Sequence, residues 1–143
     1  MRRYGERVNT KIEYKVRIGV YGVIGVGNKI LLTDQNDNEI QLPGGGVDPD
    51  EQKNHALVRE VREETGWKIQ PIKHMGTYQR FVFMPEYSLW AQKVCHIYLC
   101  NGIYPLSQPL EKGHTPILTT PDLAIKLLEN EADRVFLQRC LDI

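Results

Sequence analysis

Short stretches rich in β-branched and other apolar residues recur along the chain and predict β-strands. In the first of them valine and isoleucine alternate with glycine. Asn28 marks a turn after this stretch, and residues 35–38 form a second run of turn-favouring side chains. Phenylalanine, tyrosine and tryptophan are concentrated between residues 78 and 90. The predicted strands cover residues 16–26, 30–32, 39–42, 67–72, 93–100 and 117–118.

Helical patterns occupy the intervals between several predicted strands. Residues 48–51 offer an Asx cap, a first-turn proline and acidic side chains near the positive end of the helix dipole. The helix that they introduce should run to about Thr65, with Gly66 as its stop signal. Further helices are predicted at 121–129 and 131–141, and the proline and glycine run at 43–46 predicts a flexible loop. The strands outnumber the helices, which favours a mixed sheet with helices packed on its faces.

Composition limits the classes of protein to which this chain can belong. Its 143 residues predict one domain, residues 1–143, and its 41% hydrophobic content is that of a folded globular protein. Eighteen basic residues balance eighteen acidic ones, which argues against general nucleic-acid binding. No stretch is apolar enough for a membrane span or a secretory signal. Three cysteines without CxxC spacing favour free thiols and a cytoplasmic location. Dimers are common among soluble proteins, which leaves a homodimer open.

Three glutamates of the first predicted helix form the clearest chemical feature. Glu60, Glu63 and Glu64 stand at positions i, i+3 and i+4 and therefore share one helix face. Like charges at this spacing repel unless a cation neutralises them. Oxygen ligands that converge in this way are typical of a Mg²⁺ site. Leu57 and Val61 lie on a different face, which predicts packing of the helix against the sheet.

The residues around this cluster match a known signature. The chain resembles the Nudix, or MutT-like, hydrolase family, whose signature is Gx5Ex7REUxEExGU. Trp67 stands where that pattern usually has a bulky aliphatic residue. The matching residues are Gly45, Glu51, Arg59, Glu60, Val61, Glu63, Glu64 and Gly66.

This resemblance implies an α/β/α sandwich with a mixed central sheet. It also implies a Mg²⁺- or Mn²⁺-dependent hydrolase that splits a diphosphate linked to another moiety. By position, Glu60, Glu63 and Glu64 would hold the metal, together with the backbone carbonyl of Gly44. The signature residues with a structural role would be Gly45, Glu51, Arg59 and Gly66, with Glu51 and Arg59 pairing to hold the loop against the helix.

In such a protein the general base has two candidate sources, and the sequence does not choose between them. It is either Glu60, within the signature, or an acid of a later loop. Glu111 is the first candidate from a later loop, and Glu86 is the second. An activated water and neutralised phosphate charge are the two requirements of diphosphate hydrolysis.

Substrate contacts are expected in the aromatic-rich stretch. Tyr78 and Phe81 could stack on a nucleobase, and Arg80 could pair with phosphate oxygens. The basic residues near the N-terminus are interpreted as a solvated tail or as edge-strand protection. The four histidines show no metal-ligand spacing, and His114 is interpreted as a surface residue near Glu111.

The substrate class is not settled by these residues. Nucleotide sugars such as ADP-ribose, nucleoside triphosphates, capped RNA and dinucleoside polyphosphates all remain candidates. The main alternative to an enzyme is a non-catalytic nucleotide-binding module of the same fold. A second alternative, an isomerase acting on an isoprenoid diphosphate, would need a reactive cysteine in the pocket.

Overall fold

A computed structural model describes residues 1–36 and 39–143 of the chain. Part of the turn predicted at 35–38, namely Asp37 and Asn38, lies outside the described residues. The helices are α1 (Lys53–Thr65), α2 (Pro121–Leu127) and α3 (Glu131–Leu141), with a 3₁₀ turn at Pro85–Tyr87. The strands are β1 (Arg2–Arg3), β2 (Lys15–Val26), β3 (Lys29–Gln35), β4 (Glu39–Gln41), β5 (Gly44–Gly46), β6 (Trp67–Met84), β7 (Leu89–Pro105) and β8 (His114–Thr119).

All of these strands join one mixed sheet, as the sequence predicts. The order is β1-β6-β7-β2-β3-β4, while β5 pairs with β2 and β8 pairs with β3. Strands β2 and β7 are parallel, with a register that runs from Lys15 opposite Ala91 to Gly25 opposite Asn101. Strands β6 and β7 form a long antiparallel hairpin. Among the described residues, no helix is long and apolar enough to cross a membrane.

Helices cover both faces of the sheet. Alternate residues of a strand point to opposite faces, so Val20 and Ile24 pack in one core cluster with Leu57 of α1. Val23, one position before Ile24, packs in a second cluster with Phe136 of α3. The α/β/α sandwich that the resemblance implies is therefore confirmed.

The first helix begins later than its start signals predict. It starts at Lys53 with Gln52 as its N-cap, because Asp50 has a φ of 64° and cannot continue a right-handed helix. The predicted C-terminus is confirmed, since Gly66 has a φ of 78° and donates its N–H to the carbonyl of Arg62.

The predicted loop at 43–46 was wrong, and two strands are longer than predicted. Gly44–Gly46 is strand β5 rather than a flexible loop, because its backbone pairs with residues 19–21 of β2. The aromatic-rich stretch lies largely within β6 and β7, which are much longer than predicted. The register of β6 shifts at three points between Lys68 and Gly76, and these irregularities hide the alternation that a sequence pattern requires.

Candidate active site

Glu64 is the most deeply buried carboxylate of the signature. Its residue is 8% exposed, and its Oε1 accepts a hydrogen bond of 3.0 Å from the backbone N–H of Gly44. Burial raises the pKa of Glu64 to about 8, although the Gly44 hydrogen bond opposes that rise. The negative charges of Glu111, Glu60 and Glu63 raise the pKa of Glu64 further. A bound cation would lower the pKa of Glu64 again, because it favours the charged carboxylate.

Glu60 lies beside the bare backbone of β5. A Cβ atom on Gly45 would collide with Oε2 of the Glu60 carboxylate, so only glycine leaves this carboxylate its room. Burial raises the pKa of Glu60, while the neighbouring Arg59 guanidinium opposes the shift. A Cβ on Gly44, whose φ is 152°, would collide with the carbonyl oxygen of Val20. The close approach of backbone therefore requires glycine at position 44, whereas a side chain at position 45 would displace the Glu60 carboxylate.

Arg59 links the loop before α1 to the carboxylate cluster. Its Nε and Nη2 donate to the two oxygens of Glu51 at 2.8 and 2.9 Å, in a bidentate pair. Nη2 also donates to the carbonyl of Gly46 at 3.2 Å, and Nη1 donates to Glu60 at 3.0 Å. The hydrogen bond from Arg59 lowers the pKa of Glu51 to about 2. The pair thus ties the loop, β5 and the cluster together.

The loop before β8 brings Glu111 to the same place. The carbonyl of Glu63, in the last turn of α1, accepts hydrogen bonds of 2.8 Å from the N–H groups of both Leu110 and Glu111. The loop therefore satisfies a carbonyl that the end of a helix leaves unpaired. Carboxylate oxygens of Glu60, Glu63 and Glu111 lie within 4.8 Å of one another. Among the described residues a second group of potential metal ligands comprises Glu64, Glu111 and His114, and Glu86 belongs to neither group.

His114 is a site residue that the sequence analysis placed wrongly on the surface. Its side chain is only 5% exposed, with Nδ1 3.6 Å from Glu64 and Nε2 3.7 Å from Glu111. Oγ1 of Thr33 lies 3.2 Å from the same Nδ1. This position depends on the pairing of β8 with β3, and no local sequence pattern reports that pairing.

The two aromatic residues predicted to bind substrate are buried in the protein interior. Tyr78 is 3% exposed and packs edge-to-face on Tyr4, with ring centroids 5.4 Å apart. Phe81 is also buried and packs edge-to-face on Tyr14 at 4.9 Å. Tyr78 belongs to the core cluster on the α3 side of the sheet, opposite α1. Arg80 is half-buried next to Gly5. Packing accounts for both aromatic rings.

A cleft of about 1030 Å³ opens along the edge of β2. Glu111 and the loop before α1 line one part of it, and the tip of the β6–β7 hairpin lines another. The parallel pairing of β2 with β7 sets Arg17 opposite Lys93. The Arg17 guanidinium lies 4.4 Å from the centre of the Tyr87 ring. Basic residues that the sequence analysis assigned to a tail or an edge therefore line the cleft, namely Lys15 and Arg17.

Comparisons with known proteins agree with this geometry. A family model of the NUDIX domain matches residues 13–140. A Bacillus subtilis (strain 168) protein provisionally named an 8-oxo-dGTP diphosphatase is 40% identical over 60 residues, which cover 42% of this chain and 38% of that protein. An ADP-ribose pyrophosphatase of Methanocaldococcus jannaschii is 36% identical over 88 residues, covering 54% of this chain and 52% of the relative. The chain thus matches only about half or less of the length of these curated relatives.

A solved structure shares the fold. The MutT protein of Methanosarcina mazei Go1 superposes with a TM-score of 0.71 at 22% identity, covering 90% of this chain and 94% of that one. At this level of identity the likeness concerns the fold alone.

Proposed function

Because the chain belongs to the Nudix hydrolase family, we propose that it is a divalent-metal-dependent diphosphohydrolase acting on a nucleoside diphosphate linked to a further group. The observation that carries this proposal is the convergence of the Glu60, Glu63 and Glu111 carboxylates within 4.8 Å of one another, with Glu111 lining the cleft. A non-catalytic nucleotide-binding module would have no use for repelling carboxylates held together in this way.

The donor set fits Mg²⁺ or Mn²⁺. Carboxylate oxygens are the ligands that these hard cations prefer. In the proposed site Glu60, Glu63 and Glu64 hold the metal, and the Gly44 carbonyl is a further proposed ligand. When bound, the metal supplies Lewis-acid polarisation of the phosphoryl oxygens and lowers the pKa of a coordinated water.

Glu111 is our candidate for the general base. Its side chain is 47% exposed and faces the cleft, so it can meet a water molecule there. Glu60, the alternative, accepts a hydrogen bond of 3.0 Å from Nη1 of Arg59 and is less exposed. In the proposed reaction water attacks phosphorus, its proton passes to Glu111, and the bridging P–O bond breaks.

The basic and aromatic end of the cleft would orient the rest of the substrate. Lys15, Arg17 and Lys93 supply positive charge for the phosphate oxygens, and Tyr87 supplies an aromatic face next to them. We do not assign substrate contacts to Tyr78 and Phe81, which are buried. The half-buried Arg80 is not among the described residues that line this cleft.

The isomerase alternative receives no support. Cys95 and Cys100 are buried, and burial raises the pKa of both thiols, which is the opposite of what a reactive cysteine needs. Free thiols instead support our proposal that the protein works in the cytoplasm. We also propose that residues 1–143 form one domain, because both core clusters pack on the same sheet.

A substrate panel tests the proposed function. Phosphate-bearing products would be measured with ADP-ribose, CTP, 8-oxo-dGTP and a dinucleoside polyphosphate, each with Mg²⁺ or Mn²⁺. Turnover of one compound that needs the metal and is lost in Glu64→Gln is the expected result. Metal-independent ligand binding without any turnover would instead identify a binding module.

A further inference from the structure

Two histidines and a threonine on the β6–β7 hairpin direct their polar atoms at one another. Nε2 of His74 lies 3.1 Å from Nδ1 of His96. Oγ1 of Thr77 lies 3.3 Å from the His74 nitrogen and 3.1 Å from the His96 nitrogen. The three atoms form a nearly equilateral triangle, which we call the hairpin triad.

An irregularity of β6 makes the hairpin triad. His74 and Thr77 are three positions apart, so in a regular strand they would point to opposite faces of the sheet. The register shifts between His74 and Gly76, and this shift brings both side chains to the face of His96. The ring of Tyr98 packs edge-on against His74 with centroids 5.0 Å apart, which restricts the orientation of that ring.

The environment of His96 favours its neutral imidazole. Burial lowers the pKa of His96, and the charges of Lys53 and His74 lower it further. A neutral imidazole keeps a lone pair on one nitrogen, which is the form that ligates metals. His74 is exposed, so an ion can reach the pair from solvent.

We propose that the hairpin triad binds a divalent transition-metal ion that favours imidazole nitrogen, such as Zn²⁺. Two ligand nitrogens of an ideal tetrahedral zinc site stand about 3.3 Å apart, close to the 3.1 Å between His74 and His96. Thr77 supplies a third, weaker oxygen contact, and solvent completes the coordination. The ion bridges β6 and β7 at the point where their pairing is irregular.

This site is chemically distinct from the carboxylate cluster. Imidazole nitrogen selects Zn²⁺, Cu²⁺ or Ni²⁺, whereas the glutamates suit Mg²⁺ or Mn²⁺. It is also independent of the proposed hydrolase function, because none of its residues lines the cleft or belongs to the ligand groups found among the described residues.

Calorimetric titration with ZnCl₂ tests the proposal. The titration would use the full chain with Glu64→Gln, which removes a ligand of the carboxylate cluster, so that the cluster contributes little zinc binding. We expect one zinc ion per chain, and at least a tenfold loss of affinity when His74→Gln and His96→Gln are added. His55→Gln, which removes an exposed histidine elsewhere, should leave the affinity unchanged. Equal zinc affinity with and without the two hairpin histidines would overturn the proposal.

Cu²⁺ provides a second readout that does not depend on affinity. Electron paramagnetic resonance of the copper-loaded protein should show coupling to two imidazole nitrogens, and the double histidine variant should lose it. A circular dichroism spectrum would establish that the variant is folded. Coupling that persists in the folded double variant, or a spectrum with oxygen ligands only, contradicts the assignment.

Discussion

The carboxylate of Glu64 and the backbone of Gly44 are joined by a hydrogen bond of 3.0 Å from the Gly44 N–H to Oε1. This bond spans 20 residues of sequence and connects helix α1 to the short strand β5. It leaves Oε2 of Glu64 on the side of His114, at 3.6 Å from its Nδ1. The backbone of the glycine strand therefore orients a carboxylate whose pKa burial raises to about 8.

Metal binding should stabilise the protein through Glu64. A ligand present at a hundred times its dissociation constant adds about 2.7 kcal/mol to the free energy of unfolding. We expect Mg²⁺ or Mn²⁺ to raise the melting temperature of the unaltered protein and to have little effect on Glu64→Gln. Glu6→Gln, a change at an exposed residue outside the cluster, is the matched control. An equal metal-induced shift in Glu64→Gln would remove this residue from the proposed metal site.

Glu111→Gln should lower kcat by about a hundredfold or more, because the side chain that accepts the proton is lost. Binding of the substrate and metal should change less than kcat, since Glu60, Glu63 and Glu64 remain. Glu86→Gln is the comparison, because Glu86 also lines the cleft but lies outside the ligand groups found among the described residues. Steady-state kinetics separate the two variants. If Glu111→Gln kept full kcat, Glu60 would become the candidate base.

The two neighbouring glycines of β5 should differ in their tolerance of a methyl group. A Cβ on Gly45 collides with the Glu60 carboxylate, whereas a Cβ on Gly46 has nothing within 4 Å. Gly45→Ala should therefore displace Glu60 and reduce turnover by about tenfold or more, while the protein stays folded. Gly46→Ala should keep normal activity. Equal activity of the two folded variants would show that the position of Glu60 is unimportant.

Arg59→Lys should weaken the site although it conserves charge. Lysine cannot reproduce the bidentate contact with Glu51, so the loop before α1 loses its tie to the helix. We expect turnover to fall by about 10- to 100-fold, as is typical when a residue that orients metal ligands is lost. Arg62→Lys, at an exposed position of the same helix, is the control.

We also expect Arg59→Lys to make the protein less stable in acid. Arg59 depresses the pKa of Glu51 to about 2, so this pair contributes stability above pH 4.5 that is lost as the pH falls toward 2. Acid titration followed by circular dichroism should show Arg59→Lys unfolding at higher pH than the unaltered protein. Unfolding at the same pH in both proteins would contradict the prediction.

For Asp133 we predict the opposite dependence of folding stability on pH. Its buried Oδ2 accepts a hydrogen bond of 3.2 Å from the Leu42 N–H, yet burial raises its pKa to about 6. The folded state therefore holds the proton more tightly than the unfolded state does, and stability falls as the pH rises from about 4 to 6. The expected loss is on the order of 3 kcal/mol.

Asp133→Asn isolates that contribution, because asparagine keeps an acceptor for Leu42 without a charge. The free energy of unfolding, measured with urea between pH 4 and 7, should fall less in this variant than in the unaltered protein. Asp122→Asn, at an exposed position of α2, should keep the unaltered slope. Parallel curves for the unaltered protein and Asp133→Asn would refute the assignment.

Local patterns were sufficient to locate the chemical residues of α1. The spacing of Glu60, Glu63 and Glu64 places them on one helix face whatever the rest of the chain does. Gly66 ends the helix because glycine adopts its left-handed φ of 78° without the steric cost that other residues meet. The strand and helix patterns favour a mixed sheet with helices packed on its faces for a similar reason, whereas the signature was recognised by its resemblance to a known family.

Tertiary structure decided which distant groups join that helix. The pairing of β8 with β3 buries His114 beside Glu64, and the capping of α1 by its loop delivers Glu111. The side of β6 on which Tyr78 lies follows three register shifts, which the sequence does not reveal. Helical spacing is encoded within one turn of the chain, whereas strand register and loop docking are chosen by the packing of residues far apart in sequence. The sequence therefore determined the carboxylates and their helix, and the fold determined what surrounds them.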